Sequence, residues 1–221
     1  VKNGAIMALN TKTGELAWQK LNESFSQPWS VTSKGLVFVP EIIGVIHCFR
    51  AETGDLLPSP KAFQAGRLST PVIGVDDIFY AGLDTGLIVG GKLKGKRLMS
   101  VKVTGEPRHL IADNDRVYVI CSTPHHVVAI SIKEGRAIWQ HDLRNPVLEQ
   151  LFICGERLYV HETPLTLRNT LHILHGATGT LLAHFKNKSF HSIRSVAVNN
   201  GLFLVSANCS LALLNLHGAK Q

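Results

Sequence analysis

Paired cysteines, long apolar runs and helical periodicity are all missing from this sequence, and each absence removes a class of protein. The four cysteines, Cys48, Cys121, Cys154 and Cys209, stand roughly 30 to 70 residues apart inside apolar runs such as VYVICS and LFICG, with no CxxC spacing. A disulfide framework or zinc ribbon is thereby disfavoured, and free buried thiols are expected, which leans toward a reducing compartment. No stretch approaches the roughly 18 apolar residues of a membrane span. The N-terminus shows no signal-peptide core, but the chain opens on Val1 rather than Met, so a processed or partial product is expected and the missing leader decides nothing. Charge is scarce as well: 18% of residues are charged and 45% hydrophobic, against the roughly 25% charge of ordinary domains, so disorder is not expected.

The charge that is present is unbalanced, with 23 Lys and Arg against 16 Asp and Glu, a net +7. Such a surplus favours an acidic partner. The basic residues are scattered, however, and the densest group, Lys92, Lys94, Lys96 and Arg97, has no interleaved aromatics to stack bases. Nucleic acid is therefore not the expected partner. Three tripeptides, Asn22-Glu-Ser, Asn187-Lys-Ser and Asn208-Cys-Ser, read as glycosylation acceptors. They have meaning only in a secretory protein, and they set the cysteine argument against itself, leaving the compartment open.

What the sequence does contain is a repeat. The segment GAIMALNTKTGELAWQ at 4–19 is echoed by GVIHCFRAETGDLL at 44–57, VVAISIKEGRAIWQ at 127–140, LHILHGATGTLLAHF at 171–185 and LALLNLHGAK at 211–220, with LIVGGKLKGKRLMS at 87–100 a degraded copy. Aligned on the turn glycine, the copies place Gly14, Gly54, Gly95, Gly135, Gly179 and Gly218 at intervals of 40, 41, 40, 44 and 39 residues. Six residues before each glycine stands a mostly small or branched residue, Ala8, Cys48, Val89, Ala129, Ile173 and Ala212, as expected where one strand packs closely on a neighbouring sheet. Each copy is a predicted hairpin, because alternating apolar strands flank a turn in which glycine takes positive φ. Between copies lies a second hairpin, with turns at Ser33-Lys-Gly35, Asp76-Asp77, Asn114-Asp115, Gly155-Glu156 and Asn199-Asn-Gly201.

Four strands per repeat of about 40 residues predict an all-β fold, a β-propeller of four-stranded antiparallel blades with five to six blades visible. The competing β-sandwich does not require near-identical turns at constant spacing. The expectation is a single propeller domain over 1–221, with four whole repeats and a partial repeat at either end. The chain opens and closes on the third strand of a repeat, so the ring is expected to be shared at its ends or, preferably, to be a segment of a larger propeller with strands upstream.

The runs ALNTKTGELAW at 8–18 and AISIKEGRAIW at 129–139 resemble the repeats of pyrroloquinoline-quinone-type propellers, and the resemblance spans nearly the whole chain. It implies that Trp18 and Trp139, four residues after their glycines, dock between blades, with Gly14, Gly54, Gly135 and Gly179 as structural positions. The other copies carry Pro58, Met99 and Ala183 at that place, marking a divergent member. Within this family stand quinoprotein dehydrogenases, the propeller lipoprotein of the bacterial outer-membrane assembly machinery, and propellers appended to kinases or adenylate-forming enzymes. The assembly role would allow a periplasmic location.

Quinoprotein dehydrogenases resemble one another in a calcium ion and often in adjacent cysteines, and here no Cys-Cys pair or oxygen-rich calcium loop occurs. No haem attachment motif, Gly-x-Ser-x-Gly elbow or phosphate loop is present. Of eleven histidines, His172-x-x-His175 lies on a predicted strand that turns the two rings to opposite faces, and His125-His126 lies in a predicted loop as a surface pair. No catalytic residue, metal or cofactor is expected.

Function is then expected at the channel mouth, where the loops leading into the innermost strands converge. The positions there include Ser69, Arg108, His109, Glu149, Gln150 and Arg194, with Gln27, Pro28, Thr70 and Ile193 beside them. Polar lining of a water-filled channel is the plainer reading of this ring. The favoured function is a non-enzymatic scaffold for protein partners or a subunit of a larger assembly, with fusion to another domain allowed. The alternative is a ligand-binding sensor or quinone-type redox propeller using the central channel.

Overall fold

Alternating apolar residues bounded by turns make strands, and strands are the only regular elements in the described part of the computed structural model, namely residues 4–22, 31–41, 45–58, 66–70, 72–75, 78–92, 97–144, 147–162, 169–187, 195–199, 202–207 and 210–215. β1 (Gly4–Leu9) and β2 (Leu16–Asn22) form a two-stranded sheet. β3 (Val31–Ser33), β4 (Leu36–Pro40), β5 (Ile46–Arg50) and β6 (Leu56–Leu57) form a four-stranded antiparallel sheet in chain order. The same order recurs in β7 (Ile73–Val75), β8 (Ile78–Gly82), β9 (Leu87–Lys92) and β10 (Arg97–Lys102). It recurs again in β11 (Glu106–Ala112), β12 (Arg116–Ser122), β13 (His126–Ser131) and β14 (Arg136–Asp142), and in β15 (Val147–Cys154), β16 (Arg157–Glu162), β17 (Asn169–His175) and β18 (Leu181–Asn187). β19 (Ser195–Asn199), β20 (Leu202–Ala207) and β21 (Ser210–Asn215) make a three-stranded sheet.

The first strands of successive sheets pack on one another, β3 on β7, β7 and β8 on β11, β11 on β15, and β15 on β19. They are the inner strands of propeller blades, and the described sheets leave the ring open.

The core lies between the blades. Trp18, Val37, Val39 and Phe49 fill the seam between the first two sheets. Phe38, Ile46, Cys48, Val72, Phe79, Ala81, Leu83 and Val89 fill the second, and a cluster from Tyr80 and Ile88 to Val128 and Ile130 fills the third. Tyr118, Ile120, Val127, Ala129, Leu158, Val160 and Leu174 fill the fourth. Because successive side chains of a strand point to opposite faces, β12 gives Val117, Val119 and Cys121 to one seam and Tyr118 and Ile120 to the next. Strands covered on both faces are apolar throughout, which accounts for the low charge of the sequence. Burial pushes the Cys48 thiol up to about 11 and the Cys121 thiol up to about 12, so both stay protonated and inert; Cys154 is half-buried and also unpaired.

The register corrects two expectations drawn from the glycine alignment. In the third sheet the residue opposite the aromatic of the second strand is Gly90, paired with Tyr80, as Cys48 pairs with Phe38 and Ala129 with Tyr118. Val89 faces the opposite seam, because the turn between β9 and β10 differs from the others by one residue. A side chain on Gly90 would meet the Tyr80 ring at 2.8 Å, which is why the small residue sits there. In the second sheet Leu57, rather than the exposed Pro58, pairs with Cys48 and takes the tryptophan's place. The bulge that separates Ala8 from Leu9 and Ala129 from Ile130 does not occur in the two pairs between β5 and β6, which moves the register by one. Gly95, Gly218 and Cys209 lie outside the described residues.

Candidate functional site

Of the positions expected at the channel mouth, Arg108 and His109 lie on β11, Glu149 and Gln150 on β15, and Ser69 and Thr70 precede β7. The Ser69 N–H donates to the Gly82 carbonyl at 2.9 Å, and the Gly82 N–H donates to Thr70 Oγ1 at 2.7 Å. A Cβ on Gly82 would lie 2.7 Å from Pro107, so the loop before β7 and the start of β11 are held together across this glycine. Ser69 Oγ is buried with no hydrogen-bond partner among the described residues.

On β11, Arg108 sits at a bulge, half exposed, with its Nε donating to Ser122 Oγ at 3.1 Å and its guanidinium 2.8 Å from Glu106. Two acceptors thus orient a cation that faces solvent. His109 stands next to it, half-buried, with Nδ1 buried and without a hydrogen-bond partner among the described residues. Burial lowers its pKa to about 4.

Glu149 and Gln150 belong to β15, which packs against β11; of their side chains nothing is described. Arg194, Ile193, Gln27 and Pro28 lie outside the described residues. The structure therefore brings Ser69, Arg108 and His109 to the starts of two adjacent inner strands.

The His109 shift has a measurable consequence. A histidine whose folded pKa lies below its unfolded value of about 6.5 binds its proton more readily when unfolded. Its contribution is intact above pH 6.5 and is lost as pH falls toward 4. Linkage sets an upper limit of about 3 kcal/mol for such a shift, and the ring's partial exposure reduces it to about 1–2 kcal/mol. Urea unfolding at pH 7 and pH 4.5 is expected to show this loss in the wild type and a loss smaller by that amount in His109→Gln; equal losses would contradict it.

A second polar arrangement lies in the seams and was not anticipated. Trp18 donates its indole N–H to the Ala51 carbonyl at 2.7 Å, and Trp139 donates to the Gly176 carbonyl at 2.9 Å. Each acceptor stands three residues before a turn glycine of the next sheet. A Cβ on Gly54 would lie 2.7 Å from the Trp18 ring, and one on Gly179 2.6 Å from the Trp139 ring. Both glycines hold φ of +71°, so the left-handed turn and the close aromatic approach each require the missing side chain. Gly14 and Gly135 have the same kind of turn, at φ +75° and +63°, with no atom within 4 Å of a Cβ.

The sheet that receives each indole also holds an imidazole–carboxylate pair, whose histidine packs on Phe49 in one case and on His141 in the other. His47 Nε2 lies 2.6 Å from Glu41, and His172 Nε2 lies 2.8 Å from Glu162. The two pairs are repeat-equivalent, since His47 pairs across its sheet with Val39 and His172 with Val160, each two residues before its glutamate. In the third and fourth sheets the same places hold Leu83 with Val89 and Cys121 with Val128, all apolar and buried. The tryptophan and the imidazole–carboxylate pair therefore occur together. His141 adds a second ring against His172, with centroids 5.9 Å apart and edge to face, and its pKa is lowered first by burial and then by His172. Aligning the repeats on the strand preceding each glycine would have exposed His47 and His172; their partners come from a different strand.

His126 departs from the expected surface loop. It begins β13, is buried, and sets Nδ1 2.9 Å from the Pro124 carbonyl. His172 and His175 share β17, the second lying 3.7 Å from Glu156 at the strand end. Among the described residues no group of three His, Cys, Asp or Glu side chains is arranged to hold a metal ion, and no helix is long and apolar enough to cross a membrane.

These blades have known counterparts. The crystal structure of the computationally designed Ika8 protein matches over 99% of this chain and 67% of its own, at TM-score 0.76 and 15% identity. The crystal structure of BamB from Moraxella catarrhalis matches over 96% of this chain and 64% of its own, at TM-score 0.69 and 17% identity. The chain thus spans about two thirds of the length of either structure. No curated protein matches the sequence. The model of a repeat family described as outer membrane protein assembly factor BamB matches residues 2–111 and 84–189. Inner strands stacked in chain order, indoles seated on turn glycines and this match over most of the sequence agree, and the chain belongs to the BamB-type family of PQQ-like propeller repeats.

Proposed function

We propose that this chain is a non-enzymatic interaction scaffold, one propeller domain that holds polypeptide partners as a subunit of a larger assembly. The observation that carries the reading is the oriented cation at the channel mouth. Arg108 is fixed by Glu106 and Ser122 yet remains half exposed, so it presents donors to a carbonyl or carboxylate at little entropic cost. Ser69 and the His109 ring beside it add polar atoms without a visible general base or nucleophile pair. The name of the matched family, an assembly factor of the outer membrane, supports a protein-binding role and suits a periplasmic setting. Fold alone would not suffice, since the same blades serve many purposes.

The test is Arg108→Glu in the protein purified with its partners. Its ion pair is exposed and contributes at most about 1 kcal/mol to folding, so the thermal midpoint should barely move. The yield of co-purifying polypeptide is expected to fall at least about tenfold, the cost of reversing a central interface charge. Unchanged co-purification would remove the channel mouth from the binding surface. A quinone or other small ligand retained by the wild type and released by Arg108→Glu would favour the sensor or redox alternative.

A further inference from the structure

The fourth and fifth sheets meet through two imidazoles. Trp139 and His141 stand two residues apart on β14 and so share a face. On that face Trp139 donates its indole N–H to the Gly176 carbonyl at 2.9 Å, and His141 lies edge to face on His172 of β17 with ring centroids 5.9 Å apart. The indole seat and the histidine contact are therefore two attachments of one outer strand to the next sheet.

His172 is closely surrounded. Its Nε2 lies 2.8 Å from Glu162 Oε2, and the two side chains are 16% and 5% exposed. With the Nε2 hydrogen donated to the carboxylate, Nδ1 is the atom left to take a further proton, and it is buried with no hydrogen-bond partner among the described residues. A proton there creates a buried N–H without an acceptor, on a ring that already faces a second imidazole. The other titratable groups at these rings are Asp142, beside His141 on β14, and the exposed His184, opposite His172 on β18. Burial and then His172 lower the His141 pKa, against the smaller upward pull of Asp142 and Glu162. A folded pKa below the unfolded value of about 6.5 means that this contact is intact above that pH and is lost as pH falls below it.

The seam between the first two sheets has the same indole seat and the same imidazole–carboxylate pair without the second imidazole. There Lys20 stands two residues after Trp18, in the place of His141, and His47 stacks on Phe49.

We propose that the seam between the fourth and fifth sheets is a proton-operated joint, closed while His141 and His172 are neutral and loosened when both carry a proton. Charging both rings sets like charges against each other across the observed 5.9 Å in a partly buried seam, which pushes β14 from the fifth sheet and lifts Trp139 from Gly179. The inner strands β11 and β15 stay packed, so the joint opens at its outer edge. Its groups are separate from Arg108, and its fate is independent of the scaffold reading.

Exchange of the two indole N–H protons, followed by NMR in deuterated buffer, tests the joint with Trp18 as internal reference. Between about pH 7.5 and about pH 5.5 the ratio of the Trp139 rate to the Trp18 rate is expected to rise at least about tenfold. His109 loses its contribution in an overlapping range, but a global loss of stability exposes both indoles alike and cancels in the ratio. In His141→Phe, which keeps a ring against His172 and takes no proton, the ratio should stay within about twofold. His141→Gln should behave in the same way and serves where the larger ring is not accommodated. A constant ratio in the wild type, or a rise that survives both substitutions, would overturn the proposal.

Discussion

Gly179→Ala is expected to destabilise the protein by about 3–4 kcal/mol, while the same change at Gly135 costs only about 1–2 kcal/mol. Both glycines hold positive φ, +71° and +63°, so both substitutions carry the backbone penalty of a left-handed alanine. They differ in what the new methyl meets. At Gly135 there is open space, whereas at Gly179 the methyl lies 2.6 Å from Trp139 and drives the indole from its seat. That displacement also lengthens the bond from the indole N–H to the Gly176 carbonyl, which the seam buries. Urea unfolding read by the midpoint, at constant slope, measures the difference. Equal costs at the two glycines would show that Trp139 contributes nothing to holding the two sheets together.

Trp139→Ala is expected to cost about 2–3 kcal/mol, somewhat below the range for a fully buried tryptophan because the ring is half-buried. The indole packs against Tyr118, centroids 5.9 Å apart, and its loss leaves the Gly176 carbonyl without its donor. The informative measurement is the double variant. With the indole gone, Gly179→Ala should cost only the backbone penalty of about 1–2 kcal/mol, giving a coupling of about 2 kcal/mol between two residues forty positions apart. Simple additivity would mean that the indole and the glycine do not meet in solution.

The blade architecture was legible in the sequence because a turn glycine is a local requirement that recurs with the repeat. Ala8, Cys48 and Ala129 were placed on the right strand positions by counting back from that glycine, and the same count failed at Val89. Counting assumes a constant turn, and the β9–β10 turn breaks that assumption, so Gly90 rather than Val89 faces Tyr80. Pro58 failed for a related reason: without a bulge in the pairs of β5 and β6, Leu57 occupies the place four residues after the glycine elsewhere.

The polar seams were harder to see. His172 and His141 come from different sheets and meet only because one blade's outer strand lies against the next blade's third strand. No spacing within a single repeat records that. His126 illustrates the opposite error, a histidine beside a proline read as a surface loop although its strand is covered on both sides. Of the channel-mouth candidates, Arg108 and His109 lie on β11 and Ser69 before β7, but the anchoring of Arg108 by Ser122 depends on the pairing of β11 with β12 and could not be read from residue type.

Native mass spectrometry of the protein purified from its source, with and without Arg108→Glu, bears most directly on the scaffold reading. The expected spectrum shows a polypeptide bound in fixed stoichiometry to the wild type, absent from the variant, with no small molecule retained by either. A stoichiometric quinone or other small ligand on a chain without any polypeptide partner would contradict the reading and return the channel to a redox or sensing role.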